Sequence, residues 1–342
     1  MTVIALDAMG GDFAPRIPVE AALRIAREGV CNVVLVGDQE QLEAELDRHK
    51  SPRDGLRIHH TSEWIEMGES PVEALRRKRQ ASIRVAFDLV ANGEASAAVS
   101  AGHSGAMMVA GKLALDTIPG IDRPAIATPL PHKRGVTLLL DSGANVDCKP
   151  PFLVQFAHMG AIYARAVLDT KNPQVALLSN GAEAGKGNEL TRQAYALLEQ
   201  EPINFLGYLE PKDMFRGKAD VIVCDGFIGN LVLKTAEAAS VEVRLLLKES
   251  TFRGPLTRIG FLLLRRFFLD LARRTDYREI GGSLLLGLRG GAVVCHGASN
   301  ARTVYNAIRL ATRCGEHGLT EALNQSLSGT GSPKTKPGLA GK

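Results

Sequence analysis

The sequence predicts a doubly wound α/β fold: three layers, α/β/α, with helices on both faces of a mostly parallel sheet. Three observations predict it. Short runs of Val, Ile and Leu alternate with longer amphipathic segments, the pattern of repeated βαβ units. The runs are continuous rather than alternating in polarity, as strands buried on both faces are. Nearly every run also ends in a cluster of Gly with Ser, Asn, Asp or His, and several clusters pass straight into a helical pattern.

Taken in order, Val3–Leu6 is the first run, and apolar residues at helical spacing follow near 16–28. Val33–Val36 precedes a helical pattern near 71–91, and Ala97–Ser100 precedes one near 104–115. Val136–Leu140 leads to 151–168, Val175–Leu178 to 188–200, Val221–Cys224 to 229–249, and Val293–Cys295 to 298–313. No fixed-period repeat interrupts the series. A single α/β domain is expected over residues 1–320, with an amphipathic helical insertion at 250–280. The Gly-, Ser-, Pro- and Lys-rich end, 321–342, is expected to be a disordered tail.

Composition narrows the class. The 342 residues carry 41 Lys and Arg against 37 Asp and Glu, and 45% are apolar, which excludes disordered and collagen-like chains. No apolar stretch approaches the ~20 residues of a membrane span. The opening Met-Thr-Val-Ile-Ala-Leu-Asp7 has no basic residue before its apolar run, so it reads as a strand, and a cytosolic chain is expected. Five widely spaced cysteines form no CxxC pair and the eight histidines no HxxxH pair; neither a disulfide framework nor a metal site is expected. No nucleic-acid partner is expected either.

The run endings carry the functional signal. They read Asp7-Ala-Met-Gly-Gly-Asp12, Ser100-Ala-Gly-His-Ser-Gly105, Asp141-Ser-Gly-Ala-Asn145, Ser179-Asn-Gly181, Asp225-Gly-Phe-Ile-Gly-Asn230 and Cys295-His-Gly-Ala-Ser-Asn300. Open parallel sheets bind ligands beyond the carboxyl ends of their strands. Glycines there let backbone N–H groups approach an anion, and helix N-termini add positive potential. Converging loops of this kind predict a site for a phosphate-bearing or acyl ligand; taken singly, each is also ordinary turn and cap chemistry. Neither GxxxxGK[ST] nor GxGxxG occurs, which disfavours ATP and nicotinamide enzymes.

Five segments, four of them built on these endings, together resemble the bacterial phosphate acyltransferase (PlsX) family. They are Asp7-Ala-Met-Gly-Gly-Asp-Phe-Ala-Pro15, Glu69-Ser-Pro-Val-Glu-Ala-Leu-Arg-Arg-Lys78, Ser100-Ala-Gly-His-Ser-Gly-Ala106, Leu140-Asp-Ser-Gly-Ala-Asn145 and Asp225-Gly-Phe-Ile-Gly-Asn230. A sixth, Asn180-Gly-Ala-Glu-Ala-Gly-Lys-Gly-Asn188, is similar with one departure: Ala182-Glu183 stands where the family pattern has a pair of acids. The resemblance spans about residues 1–315. It implies transfer of a fatty acyl group from acyl carrier protein to inorganic phosphate, giving acyl phosphate for phospholipid synthesis. It further implies a fold like phosphotransacetylase and isocitrate dehydrogenase, a homodimer, no organic cofactor, and functional coupling to a membrane glycerol-3-phosphate acyltransferase. The alternatives are an NAD(P)-dependent dehydrogenase on a related sheet and a non-catalytic module that binds lipid or acyl carrier protein.

Phosphate is already an anion at neutral pH, so such a reaction needs positioning and oxyanion donors more than a strong base. Lys186, between two glycines after a strand ending, suits a phosphate; it also reads as a solvated loop lysine. Asp225 can orient Lys186 or handle a proton, or simply cap the following helix. His103 is placed to protonate a leaving thiolate, or is structural. Ser104 and Gly105 at a helix start, with Asn145, Asn180, Gly181, Asn188 and Asn230, are the candidate phosphate and substrate ligands. Cys148, Cys224 and Cys295 raise the rival of an acyl-cysteine intermediate, although Cys224 and Cys295 lie in apolar runs where cysteine is inert.

Basic surface at Arg76-Arg-Lys-Arg79 and in 250–280 is the expected docking region for an acidic carrier protein. The segment from Ser250 to Ile280 has seven arginines, three acids and four of the eleven phenylalanines. On a helix, Phe261, Leu264, Phe267, Phe268 and Leu271 share one side and arginines the other. That arrangement predicts peripheral membrane association; the alternative is a stripe packed on its own domain or on a dimer partner.

Overall fold

The structure, a computed structural model, describes residues 1–342 except 133, 184, 252–259, 261, 265, 268–280 and 328–342; of 244 and 247–251 it describes only the backbone. Its strands are β1 (Val3–Asp7), β2 (Asn32–Gly37), β3 (Leu56–His60), β4 (Ala97–Ser100), β5 (Ala125–His132), β6 (Gly135–Leu140), β7 (Gln174–Leu178), β8 (Asn204–Leu209), β9 (Val221–Val223), β10 (Ser283–Leu286) and β11 (Gly291–Val294). They form one sheet in the order β3-β2-β1-β4-β11-β10-β5-β6-β9-β7-β8. The helices are α1 (Arg16–Glu28), α2 (Gln39–Asp47), α3 (Pro71–Arg77), α4 (Ser82–Ala91), α5 (Ser104–Leu115), α6 (Pro150–Val167), α7 (Glu189–Leu198), α8 (Gly226–Thr251), α9 (Ala301–Glu316) and α10 (Leu319–Leu327).

The expected three layers form because successive strand residues face opposite sides. Val221 and Val223 enter the core under α1, α6, α7, α9 and α10, while Ile222 enters a separate cluster under the first turns of α8. A third cluster holds α3, α4 and α5 against the other face of β1, β2 and β4. All seven expected strands are present. Four strands were not expected: β3 reads Leu-Arg-Ile-His-His60 at a sheet edge, β5 contains Pro129 and Pro131, β8 contains Gly207, and β10 is a four-residue Ser-Leu-Leu-Leu286 run.

The sheet differs from the expectation in one respect that governs the site. Parallel pairing unites β1, β2, β3, β4 and β11 in one half and β6, β7, β8 and β9 in the other. Between them, β11/β10, β10/β5 and β5/β6 are antiparallel. Three reversals leave the halves running in opposite directions. One transverse row of register partners crosses the whole sheet, through Leu6, Val99, Val293, Leu284, Ala127, Leu140, Val223 and Leu177. In β1, β4 and β11 that row is one residue from the carboxyl end, and in β6 and β9 it is the last residue. The strand endings therefore do not line one edge, as expected; they leave a single row from its two sides.

Two further expectations are corrected. The helical pattern near 71–91 is two helices, because residues 80–82 are drawn to Glu63: Ser82 N donates to the Glu63 carbonyl at 2.8 Å and Gln80 N to its carboxylate at 2.8 Å. Residues 321–327, assigned to a disordered tail, belong to α10, whose Leu319, Leu323 and Leu327 are buried beside α6; their spacing of four suits one helical face. The remaining tail, 328–342, lies outside the described residues. Leu323→Ala is expected to lower stability by about 2–4 kcal/mol, the range for truncating a buried leucine, read as a fall in the urea midpoint.

Candidate active site

Two polar clusters are built on the two sides of the central row. On the first side, Asp7 ends β1 and is buried; Ser100 Oγ donates to Asp7 Oδ2 at 2.6 Å and accepts from Gly102 N at 2.9 Å. Burial pushes the Asp7 carboxyl up from its ordinary range, against the pull of these hydrogen bonds. A Cβ at Gly10 would lie 2.5 Å from Asp7 Oδ2 and 2.8 Å from Ser100 Oγ, so only glycine brings the backbone this close. The β11 ending joins through Cys295 N to Ser100 O at 2.8 Å and Asp12 N to Gly297 O at 3.0 Å.

On the second side, Asp141 follows β6 and is fully buried. Its Oδ1 accepts from the backbone N–H groups of Ile126 (2.9 Å), Gly143 (3.2 Å) and Ala144 (3.0 Å). Its Oδ2 accepts from Asn145 N (2.6 Å) and Asn145 Nδ2 (2.9 Å). Burial raises this carboxyl above its usual range while the N–H bonds oppose the rise; with donors on both oxygens, the arrangement is that of an acceptor-only carboxylate. The loop so formed receives the start of α8: Gly226 N donates to Asn145 O at 2.8 Å, and a Cβ at Gly229 would overlap the Asp141 carbonyl oxygen.

Hydroxyls bridge the clusters. Thr128 Oγ1 lies 2.6 Å from both Ser142 Oγ and Ser283 Oγ, and Ser283 is the register partner of Val294, the last residue of β11. Neither Thr128 nor Ser283 was singled out from sequence, since isolated hydroxyls in strands carry no signal.

The candidate residues divide into braces and available groups. Both N–H bonds of the Asn145 amide are used, one on Asp141 and one on Pro124 O at 2.9 Å; Asn145 shapes the loop and has no donor left for phosphate. Asn180 Oδ1 accepts from Gly187 N at 3.0 Å, and Asn188 Oδ1 caps α7 through Thr191 N at 2.9 Å. Asp225 caps α8, accepting from Ile228 N at 2.9 Å, and no ion pair or hydrogen bond joins it to Lys186 among the described residues. His103 Nδ1 accepts from Gly105 N at 3.0 Å at the head of α5, which puts the ring hydrogen on Nε2. Ser104 and Lys186 are exposed, and the Lys186 stem lies over Gly181. Asn230 is exposed and covers Gly143.

Large apolar side chains stand exposed beside these polar groups: Phe13, Met67 and Val72 near the first cluster, Val146 (60% exposed) and Phe227 (57%) on the second. The cysteines are poor nucleophiles. Burial pushes Cys148 and Cys295 up to about 12, and burial with the neighbouring Asp141 raises Cys224 well above its ordinary value.

The fold is that of the phosphotransacetylases, here with two opposed half-sheets whose strand endings flank one row. The phosphotransacetylase of Streptococcus pyogenes superposes with a TM-score of 0.63 at 18% identity, over 92% of this chain and 94% of that one. A 4-hydroxythreonine-4-phosphate dehydrogenase of Salmonella typhimurium shares the fold at a TM-score of 0.54 and 13% identity, over 92% and 99%. The chain belongs to the fatty acid synthesis protein family, whose model matches residues 2–322. It is 48% identical over 324 residues to a phosphate acyltransferase of Geotalea daltonii and 49% identical over 330 residues to one of Geobacter sp. M21, in each case over 95% of this chain and 94% of the relative.

Two outcomes follow from the geometry. Asp141→Asn turns an N–H donor towards groups that are themselves donors, and is expected to destabilise the fold by about 3 kcal/mol, measured by thermal denaturation. Cys148→Ala and Cys224→Ala are expected to keep acyl transfer within a few-fold of the parent, with no acyl-protein adduct seen by mass spectrometry after incubation with an acyl thioester.

Proposed function

We propose that the protein transfers a fatty acyl group from acyl carrier protein to inorganic phosphate, releasing acyl phosphate and the free carrier thiol. The observation that carries this reading is the paired arrangement of glycine-rich strand endings about one row, flanked by exposed apolar side chains. Backbone amides and Lys186 suit phosphate; Val146, Phe227, Phe13 and Met67 suit a long acyl chain; the raised cysteine thiols disfavour an acyl-enzyme. The full-length similarity to phosphate acyltransferases supports the same reaction.

In the step itself a phosphate oxygen attacks the thioester carbonyl carbon, and the carbonyl oxygen takes the electron pair as a tetrahedral oxyanion. The oxyanion collapses, the C–S bond breaks, and the thiolate leaves, taking up the proton that hydrogen phosphate loses on attack. Amides at the head of α5, a helix N-terminus, suit stabilisation of that oxyanion. His103, with its hydrogen on Nε2, offers a donor to the leaving sulfur.

The product is apolar, and membrane delivery suits it. Leu264 and Phe267 are exposed and belong, with Phe261, Phe268 and Leu271, to the segment proposed to lie on a bilayer surface; the last three fall outside the described residues. No helix among the described residues is long and apolar enough to cross a membrane. Beyond Leu233, α8 exposes Val241 and Leu245, four residues apart on one face suited to pairing with a second copy. A cytoplasmic homodimer passing acyl phosphate to a membrane glycerol-3-phosphate acyltransferase is the setting these features support.

Purified protein incubated with acyl carrier thioester and phosphate is expected to form hydroxylamine-sensitive acyl phosphate; its absence, with NAD(P)H bound instead, overturns the reading in favour of the dehydrogenase. Lys186→Ala is expected to lower turnover by about 10²–10³, the loss typical of one oxyanion or anion contact, with an unchanged circular dichroism spectrum. Near-normal turnover would return Lys186 to the solvated surface.

A further inference from the structure

We propose that the groove beside α5 is the entry channel for the carrier-borne acyl thioester, with Lys112 and Arg123 at its mouth receiving the phosphodiester of the carrier's thiol arm. The proposal rests on the acyl-transfer reading above and adds where its donor substrate lies.

The groove has a volume of about 450 Å³ and runs between the outer face of α5 and the turn at Arg123 and Pro124. Two contacts tie its lining to the candidate active site. Met108 and Val109, in its floor, pack against the same core cluster as Ala144 of the Asp141 loop. Pro124, in its wall, is held by the Asn145 amide at 2.9 Å. Helix α5 itself starts at the His103 cap.

Charge selects the occupant. A bare alkyl chain needs an apolar trough and no ions. This trough has an apolar floor of Met108, Val109 and Leu113 and a basic mouth of Lys112 and Arg123, neither paired with an acid among the described residues. Arg289 joins the same end, its Nε donating to Thr117 O at 3.0 Å. Asp116, the acid in the lining, is turned onto its own backbone, where Oδ1 accepts from Thr117 N at 2.8 Å. Nine residues separate His103 from Lys112, a span of ~14 Å along a helix. An arm with a thioester at one end, amides along its length and a phosphodiester at the other fits that sequence of surfaces. The carrier protein, acidic on its own surface, would then sit over the basic mouth.

The test compares S-acyl phosphopantetheine with S-acyl pantetheine, which lacks the phosphate, by calorimetric titration of the wild type, Lys112→Glu/Arg123→Glu and Leu113→Trp. All three sites are exposed, so folding is not at stake. The phosphorylated thioester is expected to bind the wild type at least tenfold tighter. The charge reversal is expected to abolish that difference and to raise KM for the acyl carrier at least tenfold, leaving KM for phosphate unchanged. Leu113→Trp is expected to weaken both thioesters. Equal wild-type affinities, or a preference that survives the reversal, would overturn the proposal. A protein that binds the arm in this way yet forms no acyl phosphate would overturn the catalytic reading alone.

Discussion

The buried carboxylate of Asp141 is the interaction on which the site depends. A charge in the protein interior is expensive unless its lone pairs are filled, and here backbone and amide N–H groups fill both oxygens. Satisfying that carboxylate forces the chain after β6 into a tight loop with its amides turned inwards. Asn145 is held by the same carboxylate and in turn fixes Pro124 and the first residue of α8. The position of α8, of Asp225 and of the groove wall all descend from this arrangement.

The opposed half-sheets bring two sets of strand endings to one transverse row. In a uniformly parallel sheet all the strand endings share one edge. Here the loops of each half rise beside the flank of the other, so polar amides, hydroxyls and exposed apolar side chains come from independent elements. Thr128, Ser142 and Ser283 span the junction with hydroxyls that act as donor or acceptor, a neutral floor between two buried carboxylates.

Several conspicuous polar residues prove to be braces. Asn145, Asn180, Asn188 and Asp225 each accept from, or donate to, backbone groups of their own loop or helix. They fix the backbone of their loops, and donors held by folding need no reorientation when charge develops beside them. Lys186 and Ser104 remain exposed and able to meet a ligand.

The sequence by itself determined the α/β class, seven of the strands, and the glycine-rich strand endings, because each is written in local periodicity and turn chemistry. It also located His103 and Asp225 at helix starts, where capping is a property of a few adjacent residues. Only the tertiary structure decided the direction of the second half-sheet, since strand polarity within a sheet depends on pairings between residues far apart in the chain. The same holds for the burial of Asp141, the hydroxyl bridge from Thr128 to Ser142 and Ser283, and the docking of α10. In each case the partners are remote in sequence, and which groups meet is settled by packing rather than by any local pattern.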